Sequence, residues 1–145
     1  MSNLNDSAHL DLLDRPKRRI NTMLDRRLRI LIAEKEYLIA IDAKEIVSSL
    51  LPCDVTVTTL HELQRQISES TWDLALIDIA GDPQTNRRNA NMVLATGAGL
   101  VFLTGHTDLA PGVPGLDEWP VVIKPFTSAS VLDAVFRSLS VVGKV

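Results

Sequence analysis

Apolar residues fall along the chain in short blocks separated by polar stretches, and the blocks switch between two periods. Leu28 to Ala33 is apolar apart from Arg29, as a strand covered on both faces requires. Tyr37 to Leu51 carries Leu38, Ile41, Ile46, Val47 and Leu50 at helical spacing, and Pro52 ends it. Asp54 to Thr58 is short and β-branched, hence a strand. Thr59 is expected to cap a helix running through Ser68, with Leu60, Leu63 and Ile67 on one face and Glu62 in the position of a capping box.

Leu74 to Ile77 forms the third predicted strand and runs into Asp78. "GDPQTNRRN" reads as a polar loop leading to a helix around Ala90 to Thr96, which Gly97 stops. Leu100 to Thr104 is the fourth strand. The segment "GHTDLAPGVPGLDEW" holds two prolines and three glycines, so a regular helix there is not expected. Val121 to Ile123 is the fifth strand, ended by Lys124 and Pro125. Thr127 or Ser128 then caps a last helix, Ala129 to Ser140, with Val131, Leu132, Val135, Phe136 and Leu139 on its apolar side.

Five short strands separated by helices predict parallel pairing through right-handed crossovers, a three-layer doubly wound α/β sheet. Ligands of such sheets bind outside the carboxyl ends of the strands. Those ends supply Glu34 and Lys35, then Asp78, then Thr104 with Gly105, and finally Lys124 with Pro125. Singly, each is also an ordinary way to close a strand or open a turn.

Composition narrows the alternatives. At 145 residues, one domain is the expected count. Residues 1 to 27 differ from the rest: Arg15, Lys17, Arg18, Arg19, Arg26 and Arg27 crowd together around Pro16, and Ile20, Met23 and Leu24 allow a short helix from Lys17 to Arg27. A basic N-terminal arm over 1–27, partly helical or disordered, and a domain over 28–145 follow. A net charge of −3, with acids and bases interspersed, gives no field to attract nucleic acid or membrane, and the arm brings no recognition motif with its charge. Cys53 is the only cysteine, and histidines at positions 9, 61 and 106 are too scattered for a structural zinc. With no signal peptide or membrane span visible, a cytoplasmic location is expected.

Familiar catalytic motifs are missing. "HELQR" at His61 lacks the second histidine of a zinc hydrolase helix, and "TGAGL" at Thr96 ends a helix where a dinucleotide fingerprint would open one. No serine sits at a strand-to-helix elbow. Trp72 and Trp119 each precede a strand and read as anchors of the layer edges.

The stretches "LRILIAEKEYLIA", "WDLALIDIAG", "LVFLTGH" and "VVIKPF" follow one another at the correct strand ends, and in this the chain resembles the receiver domain of bacterial two-component response regulators over about residues 29 to 140. "VFLTGH" before a proline- and glycine-rich crossover is similar to a subgroup with a Phe-x-Thr-Gly-Tyr motif, in which the fourth helix is short or absent. The resemblance implies a flavodoxin-like sheet of order 2-1-3-4-5. It implies that Asp78 accepts a phosphoryl group, that Thr104 and Lys124 contact the phosphoryl oxygens, and that the Ala80 carbonyl faces a metal. It further implies a single-domain, non-enzymatic signalling protein, active only in its own phosphorylation and dephosphorylation. Its phosphate would come from a sensor histidine kinase or phosphotransfer protein, and its output would be changed binding to a downstream protein. Only about five residues follow the last helix, so no output domain is expected.

Two features depart from that family, its acid pair and its aromatic switch. Where it has a pair of acids after the first strand to help hold magnesium, this chain has Glu34-Lys35. An ammonium supplies no oxygen ligand, and unit charges some 4 Å apart interact by about 4 kcal/mol at an effective dielectric of 20, so magnesium held by Glu34, Asp78 and Ala80 is expected to be weak or absent. Either Lys35 folds inward on Asp78 and leaves a phosphorylation-independent pseudo-receiver, or it turns outward and lets Glu34, Asp78 and Glu36 or Asp82 keep a weaker ion. The second departure is His106, which occupies the place of the subgroup's aromatic and is the candidate switch. Val121 stands where many receivers have another aromatic.

Overall fold

The computed structural model describes residues 27–145. The arm expected over 1–27 and its helix from Lys17 therefore lie outside the described residues, apart from Arg27. Arg27 Nε donates to Asp54 Oδ1 at 3.0 Å, and a second guanidinium nitrogen donates to the Cys53 carbonyl, tying the start of the domain to the outermost strand.

Five parallel strands, β1 (Leu28–Ala33), β2 (Cys53–Thr58), β3 (Leu74–Asp78), β4 (Gly99–Thr104) and β5 (Val121–Ile123), form one sheet in the order β2-β1-β3-β4-β5. Among the described residues four α-helices cover it: α1 (Tyr37–Leu50), α2 (Leu63–Glu69), α3 (Pro83–Leu94) and α4 (Ser128–Val141). Along β1 the side chains alternate between two cores. Leu28, Ile30 and Ile32 pack with Ala40, Ala43 and Val47 of α1 and Val131, Val135 and Leu139 of α4. Leu31 and Ala33 pack on the other face with Leu63, Ala90, Val93 and the two tryptophans. Each fully buried Leu, Ile or Phe contributes about 1.5–3 kcal/mol, so the strands at the centre of both cores fix the sheet.

The second predicted helix opens differently from expectation. A 3₁₀ turn, Leu60–Glu62, precedes α2, and Thr59 makes no side-chain capping bond. Glu62, expected in a capping box, receives Arg65 Nε at 2.6 Å instead. A larger correction concerns α3, which begins at Pro83, seven residues before its expected start. Asp82 is its N-cap, accepting from the backbone N–H groups of Gln84 and Thr85 and from the Thr85 hydroxyl, with Pro83 in the first turn where a missing N–H costs nothing. The buried face of α3 is Asn86, Asn89, Ala90 and Val93, a helical stripe half made of amides.

Between β4 and β5 the chain makes only a 3₁₀ turn, Thr107–Leu109, so the crossover is irregular as its prolines and glycines require. The last helix starts at Ser128 behind a reciprocal box in which Thr127 Oγ1 accepts from Ser130 N–H at 3.0 Å and Ser130 Oγ accepts from Thr127 N–H at 3.2 Å. Trp72 and Trp119 are buried, and the Trp72 indole donates to the Gln66 carbonyl at 3.0 Å.

Candidate functional site

Strand register brings the candidate residues together. Ala33 is level with Ile77, Asp78 with Leu103, and Thr104 with Ile123, so Glu34, Asp78, Thr104 and Lys124 all emerge at one edge of the sheet. Backbone bonds lock them there: Glu34 N–H to Thr58 O at 3.0 Å, Ile79 N–H to Leu103 O at 3.0 Å, and Lys124 N–H to Thr104 O at 2.7 Å. The Lys124–Pro125 peptide is cis.

Lys124 is the hub. Its Nζ lies 2.6 Å from Glu34 Oε2 and 3.0 Å from Asp78 Oδ1. The Glu34 side chain is fully buried, and Lys124 Nζ is the counter-charge of Oε2, which has no well-aligned hydrogen bond. Glu34 Oε1 accepts from Glu36 N–H at 3.1 Å. Partial burial alone would depress the affinity of Lys124 for its proton, but the two carboxylates outweigh it and hold the ammonium above its ordinary value. Thr104 is buried, and its Oγ1 accepts from His106 N–H at 3.1 Å, a bond linking the end of β4 to the irregular crossover.

Lys35 does not pair with Asp78. It is exposed, and the cation on Asp78 is Lys124. Lys35 instead lines a cavity of about 600 Å³ beside the site, whose wall also includes Ile79, Ala80, Asn86 and His106. The His106 residue is itself exposed.

Asn86 is the residue that sequence reasoning missed. Its Oδ1 accepts from Ala80 N–H at 2.6 Å and its Nδ2 donates to the Ala80 carbonyl at 3.1 Å, clamping the backbone two residues beyond Asp78. The Asp-Pro pair ahead of it was the available signal, since a cap at Asp82 puts Asn86 on the first turn of a helix directed at this loop. A second polar cluster lies at the opposite edge of the sheet, where buried Asp73 accepts from Arg29 N–H at 2.8 Å and Lys144 Nζ at 3.1 Å. There the Arg29 guanidinium lies 5.1 Å from the Trp72 ring centroid. That cluster joins the ends of the described chain and stands away from Asp78.

The donor set does not fit a resident magnesium ion. Glu34 and Asp78 offer carboxylates, each already on Lys124, and among the described residues no third carboxylate, histidine or thiol converges with them. Asp82, a possible auxiliary ligand, uses both oxygens as a helix cap. The Ala80 carbonyl is engaged by Asn86, and the neighbour of Glu34 is a lysine. Magnesium keeps several waters and is held by one or two carboxylates, but here both carboxylates already sit on Lys124 and a cation follows Glu34, so an ion would have to displace one ammonium and approach another.

No family model and no curated protein matches the chain. Solved structures do. The PhyR stress response regulator is similar over 88% of this chain and 50% of its own, at 22% identity and a TM-score of 0.69. SdrG from Pseudomonas melonis Fr1, in its BeF3-activated conformation, is 26% identical, with 80% of this chain and 99% of that one covered and a TM-score of 0.64. A response regulator receiver protein from Sinorhizobium medicae WSM419 is 21% identical, with coverages of 80% and 97% and a TM-score of 0.64. The chain has the flavodoxin-like fold of response-regulator receiver domains, and it spans about half the length of the PhyR regulator it matches. Among the described residues no helix is long and apolar enough to cross a membrane.

Proposed function

We propose that the chain is a response-regulator-like signalling domain of the cytoplasm. In this reading Asp78 accepts a phosphoryl group from a sensor histidine kinase or phosphotransfer protein, and the change alters affinity for a downstream protein. The convergence of Asp78, Lys124 and Thr104 at three adjacent strand ends carries the reading. Lys124 holds Asp78 Oδ1 and leaves Oδ2 to attack phosphorus, after which the same ammonium neutralises a phosphoryl oxygen.

Thr104 supplies the readout. Its hydroxyl, now the acceptor for His106 N–H, turns to donate to the phosphoryl group and releases His106 with the 3₁₀ turn behind it. His106 is the switch residue in this scheme, and beyond self-phosphorylation and self-dephosphorylation the domain is not an enzyme.

Incubation with phosphoramidate, followed by intact-mass and peptide mapping, tests the assignment. One phosphoryl group on Asp78, absent in Asp78→Asn, together with amide shifts at Thr104, His106 and Leu109, is the expected result. A second reading, a phosphorylation-independent interaction module, is favoured by Lys35 beside Glu34. It predicts no mass gain, and partner binding indifferent to Asp78→Asn.

A further inference from the structure

Glu34 and Asp78 bring two negative charges to the edge of the sheet, and Lys124 between them neutralises one. The remaining unit of negative charge would oppose any incoming phosphoryl group. Lys35 follows Glu34 directly and lines the cavity walled by Ile79, Ala80 and Gly81, the three residues after Asp78. Were Lys35 to turn toward Asp78, two acids would meet two ammonium groups and the cluster would be neutral with no divalent ion. Lys35 makes no ion pair among the described residues, so no existing bond has to break for its flexible stem to swing over Asp78. Asp78 Oδ2, likewise without an ion-pair partner, is the oxygen it would meet.

We propose that Lys35 is the tethered cation of a metal-independent phosphoryl site, taking over the charge neutralisation that the magnesium-poor donor set cannot provide. This rests on Asp78 being the acceptor. In the step, a carboxylate oxygen of Asp78 forms a bond to the phosphorus of a phosphoramidate donor. The phosphorus–nitrogen bond breaks, its electron pair leaves on nitrogen, and that nitrogen takes a proton from water. Lys35 and Lys124 flank the phosphoryl oxygens on which charge accumulates, the position at which preorganised cations lower the barrier most. Lys35 is exposed and outside both cores, so its replacement leaves the fold intact.

The test compares phosphoramidate labelling of the full chain in excess EDTA and in millimolar magnesium chloride, read as phosphoryl mass on Asp78. Wild type is expected to label equally in both. Lys35→Met is expected to label about a hundredfold more slowly in EDTA. Lys35→Asp, which restores an acid, is expected to require magnesium. Its Asp78 and Thr104 amide resonances should shift saturably with magnesium alone, where those of wild type do not.

Wild-type labelling that needs magnesium would overturn the role of Lys35 while leaving Asp78 as acceptor. So would labelling in EDTA that is indifferent to Lys35→Met. Absence of label on wild-type Asp78 under both conditions removes the acceptor assignment itself, and the proposal with it.

Discussion

Replacing Lys124 with methionine keeps the unbranched stem of the side chain and deletes its ammonium group. Glu34, fully buried in its side chain, then loses the counter-charge 2.6 Å away, and Asp78, 11% exposed, loses its partner at 3.0 Å. Removing one partner of a buried ion pair costs about 3–5 kcal/mol, and the partial access of Asp78 and Lys124 to water points to the lower end, about 3 kcal/mol. Out of a typical stability of about 5–15 kcal/mol that is a large share, and it corresponds to a fall of roughly 10 °C in Tm. Urea unfolding followed by the fluorescence of Trp72 and Trp119, both buried, measures it.

Adding Glu34→Gln to Lys124→Met should recover about half the loss, since the stranded charge is removed with its former partner gone. The pH dependence has a definite sign. Burial pulls the Lys124 ammonium down, Glu34 and Asp78 pull it up more strongly, and the folded value ends above the unfolded 10.5. A raised value means that the contribution of Lys124 is fully present below 10.5 and lost as pH rises through the folded value, so on the alkaline side the gap between wild type and Lys124→Met narrows only above 10.5. A Lys124→Met variant within about 0.5 kcal/mol of wild type would refute the reasoning, as would a gap that persists unchanged in strong alkali.

Asn86→Ala removes two bonds to Ala80 and should cost about 2 kcal/mol, with faster hydrogen exchange at the Ala80 amide. Thr127→Ala breaks the reciprocal cap of α4 and should lower stability by about 1 kcal/mol in urea titrations. A methyl group at Gly99 would meet Ser138 Oγ at 2.5 Å. Gly99→Ala should therefore cost about 1–3 kcal/mol, and Ser138→Ala, which removes a buried hydroxyl lacking a partner, should relieve most of it. Asp82→Ala should destabilise at neutral pH and lose its effect in acid. The hydrogen bonds from Thr85 and Gln84 hold the Asp82 carboxyl below its ordinary 3.8, so its contribution is present above that value and disappears as pH falls through the folded one.

The central strands were readable because each is a dense apolar run facing two cores, and the edge strand β2 because it is β-branched: β5 has the expected bounds, and β2 and β4 differ by one residue. Strand ends then located Glu34, Asp78, Thr104 and Lys124, because in a parallel sheet the end of a run is also a position in space. The start of α3 escaped because Asn86 and Asn89 occupy its buried face, and a stripe half made of amides looks polar in one dimension. What Asn86 does there could not be read either, since its partner is the backbone of Ala80, and backbone carries no letter. The direction of Lys35 was undetermined for a related reason: a long side chain beside an exposed cavity has no packing partner to fix it.

The brevity of β5 bears on how the molecule behaves in company. Among the described residues its outer side faces no further strand, and Pro120 and Pro125 bracket its three residues. Neither proline has an amide hydrogen to offer a newcomer, and the free template between them is only about 10 Å long. A second chain seeking to continue the sheet there would find too few bonding groups to hold it, so this rim resists growth into filaments even when the protein is crowded.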